Sequence, residues 1–141
     1  LIKAVIAKNK PQLDDALTVR HQVFVEEQKV PIELEIDEYE DKSTHVVLYD
    51  DEKPIGAGRF RVIDDVGKLE RICVLPEYRG KGAGTMIMEK LESIAKEKGL
   101  KTVKLNAQTH AEAFYQRLGY ETVSDVFPDA GIPHVTMVKT L

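Results

Sequence analysis

The chain opens on an apolar run of strand length, Ile2 to Lys8, with Lys3 set into it. Asn9-Lys10-Pro11-Gln12 then carries helix-start chemistry: an Asn cap, an early proline and a Gln three residues after the cap. Leu13, Ala16, Leu17 and Phe24 recur at helical spacing, which predicts a helix from about Lys10 to Val25. From Glu26 to Asp41 periodicity is lost and acids accumulate, which predicts a loop or a short helix facing water. Three strand-like runs follow, His45–Tyr49, Ile55–Ile63 and Lys68–Leu75, separated by turns at Asp50–Pro54 and Asp64–Gly67. They predict an antiparallel meander. After a bend at Pro76-Glu77-Tyr78 and the segment Arg79–Gly84, Ile87, Leu91, Ile94 and Ala95 share one face of a helix that runs to Lys98 and stops at Gly99. Thr102–Asn106 alternates as a strand, so strand, helix and strand form a crossover with a parallel pair. Thr109-His110-Ala111-Glu112 has the form of a capping box for a helix carrying Phe114 and Leu118. Tyr120–Val126 and His134–Thr140 close the chain as strands around a turn at Pro128–Gly131. The fold class is α/β (α+β), with a mixed sheet.

Composition narrows this picture only a little. At 141 residues, 43% hydrophobic and 31% charged, the chain reads as one soluble globular domain over 1–141. A net charge of -4 argues against non-specific nucleic-acid binding. The single cysteine excludes an internal disulfide framework and a cysteine zinc site, and no metal is expected. No apolar run reaches the ~18 residues of a membrane helix, and the first residues carry no cleavage signal. The expected setting is cytoplasmic, with no nucleic-acid or membrane partner.

Candidate chemistry concentrates in Arg79-Gly80-Lys81-Gly82-Ala83-Gly84, between a strand and a helix. Glycines let backbone N–H groups approach an anion, a helix N-terminus faces it, and Arg79 and Lys81 add positive charge. A P-loop would need Lys-Ser/Thr after the last glycine, where Thr85-Met86 stands. The dinucleotide fingerprint fails as well, because the spacing from Gly80 is Gly-x-Gly-x-Gly and the segment lies mid-chain. An ordinary glycine turn capping a helix is the plain alternative. Arg79-x-x-Gly82-x-Gly84 instead resembles the coenzyme A pyrophosphate loop of the GNAT N-acetyltransferase superfamily. Ala111-Glu112-Ala113-Phe114-Tyr115-Gln116-Arg117-Leu118-Gly119-Tyr120 is similar to a second motif of that family, Ala-x-x-Phe-Tyr-x-x-Leu-Gly-Phe/Tyr. The element order matches over nearly the whole chain. The resemblance implies a mixed sheet of about seven strands with a splayed parallel pair, flanked by about four helices.

It also implies a site. Arg79, Gly80, Lys81, Gly82, Ala83, Gly84 and Thr85 would hold the pyrophosphate of acetyl-CoA, and Ile72, Cys73 and Val74 would pair with its pantetheine arm. Tyr115 matches the family's general acid for the departing thiolate. Gln108 stands where many members have an Asn that holds the arm, with Asn106 as a weaker substitute. Val103 occupies the place of the glutamate base of one subgroup, which leaves Glu70 as the alternative base, with His45 and His134 as others. Cys73 is expected to pack rather than react. Arg20-His21-Gln22-Val23-Phe24-Val25-Glu26-Glu27-Gln28 is similar to small uncharacterised members of the family and, in its Arg-x-x-Val-Phe core, to acyl-homoserine-lactone synthases. The chain has no Trp, which those synthases use downstream. Arg20, Phe24, His45 and His134 are therefore candidate substrate residues. The implied function is acetyl transfer from acetyl-CoA to a primary amine of a small molecule or a protein. An acyl-CoA sensor without turnover is the other class, and self-association as a homodimer stays open. Six acids between Glu33 and Asp41, with Glu26, Glu27 and Glu70, favour a cationic acceptor if they rim the cleft. An arginine-lined cleft would favour an anionic one.

Overall fold

The computed structural model describes residues 1–141. Strand β1 is Ile2–Ile6 and helix α1 is Lys10–Arg20, with Asn9 Oδ1 accepting the Gln12 N–H as its cap. The helix predicted to reach Val25 changes character at Arg20: His21–Glu27 continues as a π-helix of seven residues. Such wide turns are rare and frequent at functional sites. The acidic stretch that follows holds a four-residue helix, α2 (Ile32–Glu35), and a single 3-10 turn over Glu40–Lys42.

Strands β2 (Thr44–Asp50), β3 (Lys53–Ile63) and β4 (Val66–Val74) form the expected antiparallel meander. Helix α3 (Ala83–Glu97) crosses over to β5 (Thr102–Gln108), which runs parallel to β4. The capping box at Thr109 does not form. Thr109–Ala111 is a 3-10 turn without a side-chain cap, and α4 spans only Glu112–Arg117. The Glu112 carboxylate instead accepts from the Thr122 hydroxyl. The strand predicted over Tyr120–Val126 shrinks to β6 (Glu121–Thr122), and Phe127–Asp129 is a separate strand, β7. Ala130 and Gly131, both at positive φ, turn β7 into β8 (Ile132–Thr140), the geometry that a two-residue hairpin favours. The sheet thus has eight strands rather than about seven, in the order β1-β2-β3-β4-β5-β8-β6, with β7 also on β8.

Helix α3 lies close against β3 because two residues of that strand lack side chains. A Cβ on Gly56 would stand 2.8 Å from Ile87, and one on Gly58 2.9 Å from both Ile87 and Leu91. Ile87 and Leu91 are fully buried there together with Leu48, Ile55 and Phe60. No helix of the molecule is long and apolar enough to cross a membrane.

Candidate functional site

The site begins where the parallel pair comes apart. β4 and β5 pair only over Gly67–Leu69 and Val103–Leu105, although β4 continues to Val74 and β5 to Gln108. Beyond Leu69 the β5 side of β4 is left without a strand. A bulge lies at the opening: Arg59 opposes Glu70 and Ala57 opposes Cys73, so Gly58 alone faces Arg71 and Ile72. Bulges bend a strand and increase its twist. Arg71 pays for its place with φ at 56°, and ion pairs to Glu35 and Asp37 hold it there. A cleft of about 1030 Å³ fills the gap, lined by the far half of β4, the end of β5, the π-helix and the start of β8.

The glycine segment closes one end of that cleft. Gly80 and Gly82 sit at φ 77° and 85°, and a Cβ on either would project into open space. Gly82 caps α3 without any side-chain hydrogen bond, so the first-turn amides have no side-chain acceptor. Gly84 needs its missing side chain for another reason, because a Cβ there would lie 3.0 Å from the Phe114 ring. These are the features a bound pyrophosphate requires, and the residues fit it. Ala83 is buried, Thr85 half-buried in the first turn of α3, and Lys81 exposed on the loop. Arg79 is engaged: its Nη1 and Nη2 donate to the Glu27 carboxylate, both at 2.7 Å, and Nε donates to the Val74 carbonyl. Glu27 lies at the end of the π-helix.

Ile72, Cys73 and Val74 line the cleft, with Cys73 buried. Burial pushes the Cys73 thiol up to about 12, so it is not a thiolate at neutral pH. Tyr115 also lines the cleft, its ring edge-on to Phe114 and Tyr120. Burial raises its phenol, with Cys73 a smaller contributor, and no hydrogen bond enters. The hydroxyl is therefore protonated and uncommitted. Gln108 and Asn106 sit on the lining. Gln108 donates to Gln28 at 2.8 Å and lies 2.7 Å from a His110 ring nitrogen, while Asn106 accepts from the Thr136 hydroxyl.

The candidate substrate residues divide. Phe24 and His134 line the cleft, whereas Arg20 and His45 do not. Arg20 is 1% exposed and bonded to Glu35 and Glu40. His45 is buried with Nε2 against the Glu40 carbonyl and Nδ1 without a partner. Both belong to a buried ionic network in which Arg20, Arg59, Arg61 and Arg71 meet Glu35, Asp37, Glu40 and Glu70. It fastens the 30–42 segment onto β3 and β4. Glu70 lines the cleft but its carboxylate is bound to Arg61 at 2.6 Å and Arg59 at 3.1 Å. Burial alone would raise its pKa; Arg61, Arg59 and Lys68 overrule that and lower it. A carboxylate so stabilised is a poor general base, which corrects the expectation for Glu70. The acidic rim is corrected too. Glu35, Asp37 and Glu40 are spent on arginines, and Glu33, Glu38 and Asp41 face solvent.

The network makes stability depend on acid. Burial would raise the Glu40 carboxyl, but Arg20, the Asp37 N–H and Arg59 bring it down from 4.5 to about 2. Asp37 and Glu70 are lowered in the same way. Carboxyls lowered by folding stabilise fully above their unfolded values and lose that contribution as pH falls through the folded ones. Thermal melts followed by circular dichroism should therefore show the midpoint dropping steeply between pH 4.5 and about 2. A midpoint flat across that window would mean that the carboxylates gain nothing from their arginines.

His134 offers what Glu70 does not. Its Nδ1 lies 2.7 Å from the Ile132 carbonyl, so Nδ1 must carry the proton and donate. In the neutral ring Nε2 then keeps its lone pair. The residue is buried at the cleft wall and stacks on Phe127.

Comparison with known proteins agrees with this geometry. Residues 10–141 match the family described as "Acetyltransferase (GNAT) domain". The Bacillus subtilis (strain 168) protein YjcF, named an uncharacterized N-acetyltransferase, is 56% identical over 139 residues, 98% of this chain and 99% of YjcF. Among solved structures, an acyl-CoA N-acyltransferase from Pseudomonas aeruginosa superposes with a TM-score of 0.87 at 26% identity, covering 99% of each chain. The PaiA N-acetyltransferase of Thermoplasma acidophilum, solved in complex with coenzyme A, shares the fold at a TM-score of 0.73 and 17% identity, again over 99% of each. A splayed parallel pair, a glycine cradle at its mouth and a sequence match over almost the whole chain converge: the protein belongs to the GNAT acetyltransferase family.

Proposed function

We propose that this protein moves an acetyl group from acetyl-CoA directly to a primary amine. The observation that carries the reading is the parting of β4 and β5 beyond Leu69, which opens a cleft with the Gly80–Gly84 cradle at one end and Tyr115 on its wall. Acetyl-CoA supplies an activated thioester. The chain's residues do the rest. First-turn amides of α3 take the pyrophosphate, helped by the open space over Gly80 and Gly82. The unpaired edge of β4 at Ile72–Val74 offers backbone groups to an extended arm, as an added strand would meet them. Nε2 of His134 takes the proton from the amine, and Tyr115 Oη gives one to the departing thiolate, whose thiol lies near 8.5. Cys73 is too firmly protonated to form an acyl-enzyme, which supports direct transfer.

Thiol release from acetyl-CoA across a panel of amines tests the reading. Gly82→Val should place a branched side chain over the cradle, at a φ that such residues avoid, and weaken coenzyme A binding at least tenfold, about 1.4 kcal/mol. Calorimetric titration, with a thermal melt as the check on folding, measures it. Unchanged affinity in a folded variant would remove the cradle from the site. Tight coenzyme A binding with no thiol release on any amine would make the protein a sensor instead.

A further inference from the structure

The charged groups around the cleft are nearly all committed. Glu27 is paired with Arg79, Glu35 with Arg20 and Arg71, and Glu70 with Arg59 and Arg61. Two groups on the lining remain without an ion pair, Lys68 and Asp129. Asp129 lies exposed at the tip of the β7–β8 hairpin, where water screens it. Lys68 is half-buried in the floor and stands directly opposite Lys104 in the short parallel register of β4 and β5. Gly67, Leu69, Val103 and Leu105 on either side are buried, so the two lysines share the other face. Like charges directly opposite each other destabilise a sheet, and neither lysine has a carboxylate within salt-bridge distance to offset this. Burial lowers Lys68, and the charges of Arg61 and Lys104 lower it further against Glu70 and Asp129.

The doublet sits at the beginning of β4, whereas the glycine cradle follows its end. A pyrophosphate bound at Gly80–Gly84 is thus separated from Lys68 by most of a nine-residue strand, on the order of 20 Å at about 3.3 Å per residue. The cosubstrate's phosphates cannot be what the lysines await. Nor can Glu70, the nearest acid in sequence, since its two oxygens already face Arg59 and Arg61.

Resting on the transferase reading, we infer that the acceptor is an amine that also carries an anionic group, a carboxylate or phosphate, and that Lys68 with Lys104 behind it binds that group at the far end of the cleft. Lys68 is a specificity residue in this assignment. It fixes the acceptor by its anionic end and leaves the amine toward His134, which lines the same cleft. The cationic acceptors that the acidic stretch suggested are disfavoured, because its acids are paired with arginines or face solvent and the half-buried unpaired charge on the lining is that of Lys68.

The test uses three acceptors of one skeleton, an amine ending in a carboxylate, a phosphate or an uncharged carboxamide. Wild type should show kcat/KM at least tenfold higher on one of the anionic compounds than on the carboxamide. A hydrogen-bonded ionic contact of this kind is worth roughly 10–100-fold. Lys68→Met should erase the preference through KM, with kcat held within about twofold. Lys68→Glu should invert it. Whichever anion prevails decides between carboxylate and phosphate. Titration of the same compounds into the coenzyme A-loaded protein reads the preference without turnover. Anion binding that Lys68→Met abolishes, with no thiol released, would uphold Lys68 as an anion site, sink the transferase and overturn the acceptor assignment with it. Equal treatment of the three compounds by wild type, or a preference untouched in Lys68→Met, would overturn the inference and leave the transferase standing.

Discussion

Tyr115→Phe should lower turnover by roughly 10²–10⁴-fold, the usual contribution of a general acid, while coenzyme A binds within about twofold of wild type. The substitution keeps the ring that meets Phe114 and Tyr120 edge-on and removes only the oxygen. Burial keeps that phenol protonated and nothing in the protein accepts from it, so its proton is free for the thiolate, although the same burial makes it a weaker donor. A loss confined to kcat identifies an interaction made in the transition state, whereas packing damage would appear in binding and in the melt. Single-turnover kinetics beside calorimetric titration separate the two. Turnover retained within a factor of about two, too small for acid catalysis, would reduce Tyr115 to a packing residue.

Arg59→Met should be the most destabilising single change in the ionic network. The guanidinium is fully buried, spans both oxygens of Asp37 at 2.7 and 2.9 Å and reaches Glu70 at 3.1 Å. Removing it leaves Asp37, Glu40 and Glu70 facing one another with a cation lost from their midst. Removing one partner of a buried pair typically costs about 3–5 kcal/mol, which for a domain of this length lowers the melting midpoint by roughly 10–20 °C. Arg59→Lys should recover only part of this, because an ammonium cannot make the two-pronged contact. The gap between wild type and Arg59→Met should also narrow below about pH 4, where the acids deprived of Arg59 take up protons. A midpoint shift under about 3 °C, less than 1 kcal/mol at this size, would show that water or neighbouring arginines fill the place of Arg59.

Why some of this was legible and some not follows from the range of the interactions. Helix α3 announces itself through Ile87, Leu91, Ile94 and Ala95, all deeply buried, and through the left-handed Gly99 that stops it. Those signals are local, and periodicity carries them. The glycine segment is local as well. The capping box at Thr109 was also a local signal, but it lost to a tertiary one, since Glu112 is taken by Thr122 on β6. The π-helix at His21–Glu27 leaves no mark on apolar spacing that separates it from an ordinary helix. Harder still was the fate of the charges. Arg20 and Phe24 are both expected on the cleft because the resemblance places residues at this helix end along the acceptor cleft. The helical turn between them points one into the ionic network and the other toward the cleft. Glu70 and Lys68, two residues apart on one strand face, look alike in sequence. Only the hairpin register that sets Arg59 opposite Glu70, and the parallel register that sets Lys104 opposite Lys68, tells the satisfied charge from the free one.

The seat of α3 on Gly56 and Gly58 has a consequence for how the chain can vary. Ile87 and Leu91 rest against strand backbone, so the height of the helix above the sheet is set by an absence of atoms. A methyl group at either glycine acts as a shim. It would lift a rigid fifteen-residue rod whose first turn, next to Ile87, carries the cradle amides. Latitude for change is therefore distributed unevenly over the molecule. The exposed turns can drift with little effect on the candidate anion site, while two featureless positions in the middle of a buried strand set its alignment from beneath the helix.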